Sequence, residues 1–240
     1  MSPLLELDGV NAGYEGPDVV HDVSLTVEPG EVVALLGPNG AGKTTILNAI
    51  SGLARVRAGT VAFDGVPVHR LPPHRIATAG IAHVPQGRQL FGYSTGRENL
   101  AIGGYPRSDR KAVEADVEGF LGRWPIAERV AAQRGNLMSG GEQQVVAVGR
   151  GLMARPRLLL LDEPSLGLAP ILVDRLMEML RSVEAESATD GLAMLLVEQN
   201  AAKAIELANR VYVMVAGRVV HHSRASEITP AQVVELYLGR

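Results

Sequence analysis

Apolar and polar positions change their period several times along the chain, and the changes divide it into elements. Val23, Leu25 and Val27 alternate with polar neighbours and run into a Pro29-Gly30 turn. That turn feeds the unbroken apolar run Val32, Val33, Ala34, Leu35 and Leu36. Alternation predicts half-buried strands across 4–36, and the unbroken run predicts a strand covered on both faces. Ile46, Ile50 and Leu53 then fall on one face of a helix predicted over 45–53. Val61 and Phe63 alternate again ahead of Asp64-Gly65, a hairpin signal. A short helix is predicted over 72–79, closing at Gly80, and a strand over 81–84 is broken by Pro85-Gln86-Gly87.

From about 97 to 155 charges and alanines recur at helical spacing, as over 111–121, while β-branched runs are scarce. This predicts a helical subdomain, roughly 87–157, inserted into a larger core. Within it Ser139 is a natural N-cap for a helix ending near Pro156. Four leucines, 158–161, predict a second strand buried on both faces. Pro170 opens an amphipathic helix carrying Leu172, Leu176, Leu180 and Val183. Asp190-Gly191 turns into a strand over 192–197, and Asn200 suits an N-cap. A hairpin is predicted around Ala216-Gly217, and the capping box at Thr229-Pro230-Ala231-Gln232 opens a last helix ending at Gly239. Strands alternating with helices predict an α/β fold, in one domain over 1–240.

Composition narrows the possibilities. A hydrophobic content of 46% over 240 residues suits one large domain with a buried core. A net charge of −3 with no basic block gives no reason to expect a nucleic-acid partner. No apolar run approaches the roughly 20 residues that cross a bilayer. The start of the chain has neither the basic residues nor the apolar stretch of a signal peptide, and there is no Cys. The expected location is cytoplasmic, with any membrane role exercised by docking on another chain. The six histidines show no metal-ligand spacing.

The stretch Gly37, Pro38, Asn39, Gly40, Ala41, Gly42, Lys43, Thr44 lies between a predicted strand and a predicted helix. That is the setting of a phosphate-binding loop. Its glycines let backbone N–H groups converge on an anion, aided by the helix dipole. Lys43 suits the β/γ-phosphates and the Thr44 hydroxyl suits Mg²⁺, with Thr45 beside it. Tyr14 is either a platform for a purine base or an ordinary strand aromatic. Asp162 and Glu163 stand at the C-terminal end of the leucine strand, where α/β sheets present ligands. Asp162 suits a Mg²⁺ shell and Glu163 suits activating the attacking water. Ser139, Gly140, Gly141 and Glu142 open a helix whose N–H groups offer a second anion site.

The order of these motifs, with Gln86 between the first loop and Ser139, strongly resembles the ATP-binding cassette ATPases over essentially the whole chain. The resemblance implies a P-loop core carrying an antiparallel β subdomain and a helical insertion, with ATP and Mg²⁺ as cofactors. It makes Gln86 the Q-loop glutamine, near Mg²⁺ or the attacking water. It makes residues 139–142 the signature, 165–170 the D-loop region, and Gln199 the γ-phosphate contact, where the family usually has His. Two cassettes would pack head to tail, each P-loop facing the other's signature.

Val84-Pro85-Gln86-Gly87-Arg88 and Leu196-Val197-Glu198-Gln199-Asn200 look like the shorter ATPase subunit of branched-chain amino-acid importers; urea and short-chain amide importers have a very similar subunit. The implied partners are membrane permeases, a second and different cassette (a homodimer being the alternative), and, indirectly, a periplasmic solute-binding protein. The implied place is the inner face of the cell membrane. A soluble cassette ATPase is the competing reading. Leu90-Phe91 is either an exposed docking pair or part of the core.

Overall fold

Residues 2–186 and 191–239 are described by the structure, a computed structural model. Five apolar residues in a row can only be a strand if both faces of the sheet are covered, and the central sheet obeys this. It has the order β10-β9-β3-β8-β7-β6. Here β3 is Val32–Leu36, β6 Ile81–Val84, β7 Leu158–Asp162, β8 Ala193–Glu198, β9 Arg210–Val215 and β10 Arg218–Arg224. Strands β9, β3, β8, β7 and β6 pair in parallel, and β10 returns antiparallel to β9.

Side chains alternate across this sheet into two cores. Val33, Leu35, Leu158, Leu160, Leu195 and Val197 point into one. There they meet the helix α1 (Lys43–Ile50) and a second, antiparallel sheet. That sheet has the order β2-β1-β4-β5, with β1 Leu5–Gly13, β2 Val20–Val27, β4 Arg55–Phe63 and β5 Val66–Pro67. Val32, Leu36, Leu159, Leu161, Met194 and Leu196 point into the other core, lined by α6 (Gly140–Leu152), α7 (Pro170–Glu186) and α8 (Ala201–Leu207).

Between β6 and β7 the described chain forms α3 (Gly96–Gly103), α4 (Arg110–Arg123), α5 (Pro125–Arg129), a 3₁₀ turn and α6. The short helix α2 (Pro73–Thr78) precedes β6, and α9 (Pro230–Tyr237) closes the chain.

Two expectations need correction, and one left open is divided. Helix α1 stops at Ile50, and Leu53 is 56% exposed rather than buried on its face. Gly52 sits at φ +74°, and the chain folds back so that Leu53 N–H donates to the Asn48 carbonyl at 2.7 Å. Helix α6 ends at Leu152, short of Pro156, because Arg155 takes a left-handed φ of 47°. Of the pair Leu90-Phe91, Phe91 is exposed while Leu90 packs against the core. The Asp190 half of the expected 190–191 turn lies outside the described residues.

Candidate nucleotide site

Parallel strands that share one direction bring their C-terminal ends to one edge, and register decides which residues meet there. Leu36 pairs with Glu198, Asp162 with Val197, and Leu161 with Val84. The loop after β3, the acids ending β7, Gln86 after β6 and Gln199 after β8 therefore converge on one edge.

The loop at 37–44 wraps a cleft of about 400 Å³ lined by Asn39, Gly40, Ala41, Gly42, Lys43, Thr44, Thr45, Gln86, Glu163 and Gln199. Two glycines are required by contact. A Cβ on Gly37 would lie 2.4 Å from the Met214 carbonyl, and one on Gly42, already at φ +99°, would strike Val20 at 2.6 Å. Lys43, 4% exposed, donates to the Gly37 and Pro38 carbonyls at 2.8 and 3.1 Å. It also sits 3.4 Å from Glu163. Among these partners only Glu163 carries a charge, and a triphosphate would offer the buried ammonium more.

Thr44 Oγ1 donates to Asp162 Oδ1 at 3.1 Å. Burial pushes the Asp162 carboxyl above the usual carboxylate range; the Thr44 hydroxyl and Lys43 pull it down, and the Glu163 charge adds to the rise. A buried carboxylate facing a hydroxyl is a donor set that suits a hard divalent cation such as Mg²⁺. Glu163, 8% exposed, is held at φ 46° directly after β7, a backbone conformation that costs a non-glycine residue energy. Its carboxylate accepts from Gln199 Nε2 at 3.0 Å and from Gln86 Nε2 at 3.4 Å. Gln199 Nε2 also donates to Asn39 Oδ1, so one amide ties the loop to the acid.

Tyr14 lies just past the end of β1, 45% exposed, and its hydroxyl accepts from Asn48 of α1 at 2.6 Å. Arg57 donates to the Tyr14 and Gly16 carbonyls at 2.6 Å each and pairs with Asp18, which fixes the turn that presents the ring. Neither Asn48 nor Arg57 carries a sequence signal for this task. Sequence reasoning also misses Glu198: it is 2% exposed, does not line the cleft, and accepts the N–H groups of Ser165 and Gln199.

Ser139, Gly140, Gly141 and Glu142 do not line the cleft. They open α6 on another face, where the Glu142 carboxylate accepts from Ser139 N–H at 2.7 Å and from Arg129 at 2.7 Å. The Glu142 carboxylate is thus engaged in its own helix cap. Arg88 bridges this region to the loop after Glu163: its guanidinium lies 3.0 Å from where a Gly140 Cβ would sit and donates to the Leu166 carbonyl at 3.4 Å.

Comparison with known proteins gives the following. Residues 20–166 match the family model described as ABC transporter. The chain is 41% identical to the high-affinity branched-chain amino acid transport ATP-binding protein BraG of Pseudomonas aeruginosa, over 98% of this chain and 100% of that one. It is 35% identical to the lipopolysaccharide export system ATP-binding protein LptB of Escherichia coli K12, covering 94% and 93%. Among solved structures, it is similar to the dimeric post-hydrolysis state of an ATP-binding cassette bound to ADP and Pi. There the TM-score is 0.80 and the identity 25%, over 92% of this chain and 98% of that one.

Proposed function

The chain belongs to the ABC transporter family as one of its ATP-binding cassettes, and on that premise we propose that it is the ATP-hydrolysing subunit of a membrane importer for branched-chain amino acids. The observation that carries the hydrolytic part is the convergence of Lys43, Thr44, Glu163 and Gln199 on one cleft, with Asp162 bonded to Thr44 beside it. The solute class rests on the end-to-end likeness to BraG, at 41% identity.

The residue roles follow from charge and reach. The loop 37–42 and Lys43 bind the triphosphate, and Lys43 leaves its backbone carbonyls for the β/γ-phosphates. Thr44, Asp162 and Gln86 would hold Mg²⁺, which neutralises phosphate charge when bound. Glu163 takes the proton of the attacking water, oriented by the Gln199 amide. Gln199 turns its N–H toward the γ-phosphate; an amide hydrogen-bonds there without changing charge. Tyr14 stacks on the base. Ser139, Gly140, Gly141 and Glu142, pointing away from this cleft, complete the site of a second cassette by offering the N-terminus of α6 to its triphosphate.

A groove of about 820 Å³ runs from Gln86 past Phe91, Ile102, Tyr105 and Arg150. Phe91 is 53% exposed and Tyr105 79%, and Arg150 stacks over Phe91 at 5.8 Å. This groove receives a cytoplasmic segment of a permease, on the inner face of the membrane. A different cassette and, across the membrane, a solute-binding protein complete the importer.

The test is ATP turnover by the membrane-assembled protein with Mg²⁺. Glu163→Gln should keep ATP binding and slow kcat by about 10²–10⁴-fold, the size of a general-base contribution. Unchanged turnover in that variant would remove Glu163 from the chemistry. Uptake of leucine, against no uptake of urea, in vesicles carrying the assembled complex checks the solute class.

A further inference from the structure

Glu198 ends β8 with 2% of its surface exposed, and no ion pair with a described residue compensates its charge. Its two oxygens hold two different segments. Oε1 accepts the Ser165 N–H at 2.9 Å, and Oε2 accepts the Gln199 N–H at 3.2 Å. Burial pushes this carboxyl above its ordinary range, opposed by the Ser165, Asn200 and Gln199 donors. A neutral residue would close a strand at lower desolvation cost, so the carboxylate needs a reason. The reason lies in its acceptor-only character: no neutral side chain of this length accepts at both ends.

The two segments it joins have separate duties. Gln199 bridges Asn39 and Glu163 at the phosphate end of the cleft. Ser165 begins the 165–169 loop, whose form depends on Leu166 N–H donating to the Glu163 carbonyl at 3.1 Å and Leu168 N–H to the Ser165 carbonyl at 3.1 Å. Leu166 at the tip is 48% exposed, and Arg88 links its carbonyl to the start of α6. Beside the loop, a cavity of about 450 Å³ lined by Ser165, Leu166, Glu198, Gln199 and Lys203 leaves it room to shift.

We infer that Glu198 is a positioning residue that couples Gln199 to the 165–169 loop, so that a phosphate drawing Gln199 inward also moves the surface offered to the second cassette. The inference rests on the proposed reading that a second cassette packs against this one, and it takes the 165–169 loop as part of the surface they share. The carboxylate does not line the phosphate cleft. It acts through the two N–H groups that it holds at a fixed separation.

The experiment uses the protein purified together with its membrane partners, with four variants: Glu198→Gln, Glu198→Ala, Gln199→Ala, and Glu198→Ala combined with Gln199→Ala. In Glu198→Gln the new amide still accepts at one end but sets a donor against the other N–H. Expected is a KM for ATP within about twofold of wild type in Glu198→Gln, because the loop at 37–44 is untouched, with kcat lower by about 10-fold. The double variant should be no slower than Gln199→Ala alone, since both changes break one linkage.

A structural role alone would lower the melting temperature of Glu198→Ala and multiply with Gln199→Ala, and that outcome overturns the inference. Glu198→Gln at the full wild-type rate overturns it too. If Glu198→Ala does not fold, the Glu198→Gln result decides. Failure of the functional reading itself appears separately, as absence of ATP turnover in the wild-type complex.

Discussion

At the scale of single residues, the candidate site is a set of groups held in arrangements that cost the fold something. Asp162 is the clearest case, since its carboxyl is buried and pushed up. An acid whose folded pKa lies above its unfolded value destabilises the native state once pH exceeds the unfolded value of about 4, and fully so above the folded one. Asp162→Asn keeps an oxygen for Thr44 and removes the charge. It should raise the melting temperature of the nucleotide-free protein near neutral pH by about 2–4 °C, if about 1 kcal/mol is recovered. The advantage should shrink as pH falls through the raised pKa and vanish below about pH 4. Mg²⁺-dependent turnover should be lost in the same variant, and calorimetry across pH beside an ATPase assay checks both. A destabilised Asp162→Asn protein would mean that the carboxylate serves the fold. Gln199 gives a second test. Gln199→Ala removes the amide tying Asn39 to Glu163 and should lower turnover, whereas Gln199→His retains an N–H donor and should be tolerated.

Elements explain why those residues meet at all. The four leucines of β7 alternate between the two cores, Leu158 and Leu160 to one and Leu159 and Leu161 to the other. That packing brings Glu163 into the cleft and Asp162 against Thr44. Leu161→Ala should cost about 2–5 kcal/mol of unfolding free energy. Denaturant titration measures the loss, and an effect below about 0.5 kcal/mol would contradict the burial of Leu161. This strand is legible in the sequence because nothing else accounts for four leucines followed by two acids. The loop at 37–44 is legible for a similar reason, since its residue types, spacing and flanks all agree. Helix ends are less legible. Gly52, just past Ile50, is a stop signal that the apolar spacing through Leu53 overrides, and the Leu53 N–H to Asn48 carbonyl bond that completes the reversal is backbone chemistry with no side-chain mark. Tyr14 is visible as an aromatic, but its supports sit 34 and 43 positions away: Arg57 becomes its neighbour through the β1–β4 register, and Asn48 through the packing of α1 against β1. Glu198 reads in sequence as a polar residue just past a strand. That it holds a loop 33 residues distant follows from the pairing of β7 with β8.

For the whole molecule the geometry leaves two surfaces unfinished. The α6 N-terminus carries Gly140 and Gly141 on a face outside the cleft of the same chain. The groove beside Gln86 exposes Phe91, Ile102 and Tyr105 with Arg150 stacked over the first, and one end of it reaches Thr44 and Asp162. A partner seated in that groove would therefore sit within reach of the residues proposed to hold Mg²⁺, which is what the proposed coupling of transport to ATP demands. Phe91→Asp removes the ring from Arg150 and puts a charge where an apolar segment would dock, leaving the residues of the 37–44 loop unaltered. It should abolish recovery of the chain with the proposed permeases from the native membrane while ATP binding by the purified chain stays within about twofold, since Phe91 does not line the cleft at the 37–44 loop. Wild-type protein captured the same way should bring down two permeases and a second, different cassette, and the isolated chain should sediment as a monomer. Recovery of wild type as a stable homodimer without membrane proteins would defeat the importer assignment. Phe91→Asp retaining its permeases would instead move the docking site away from this groove.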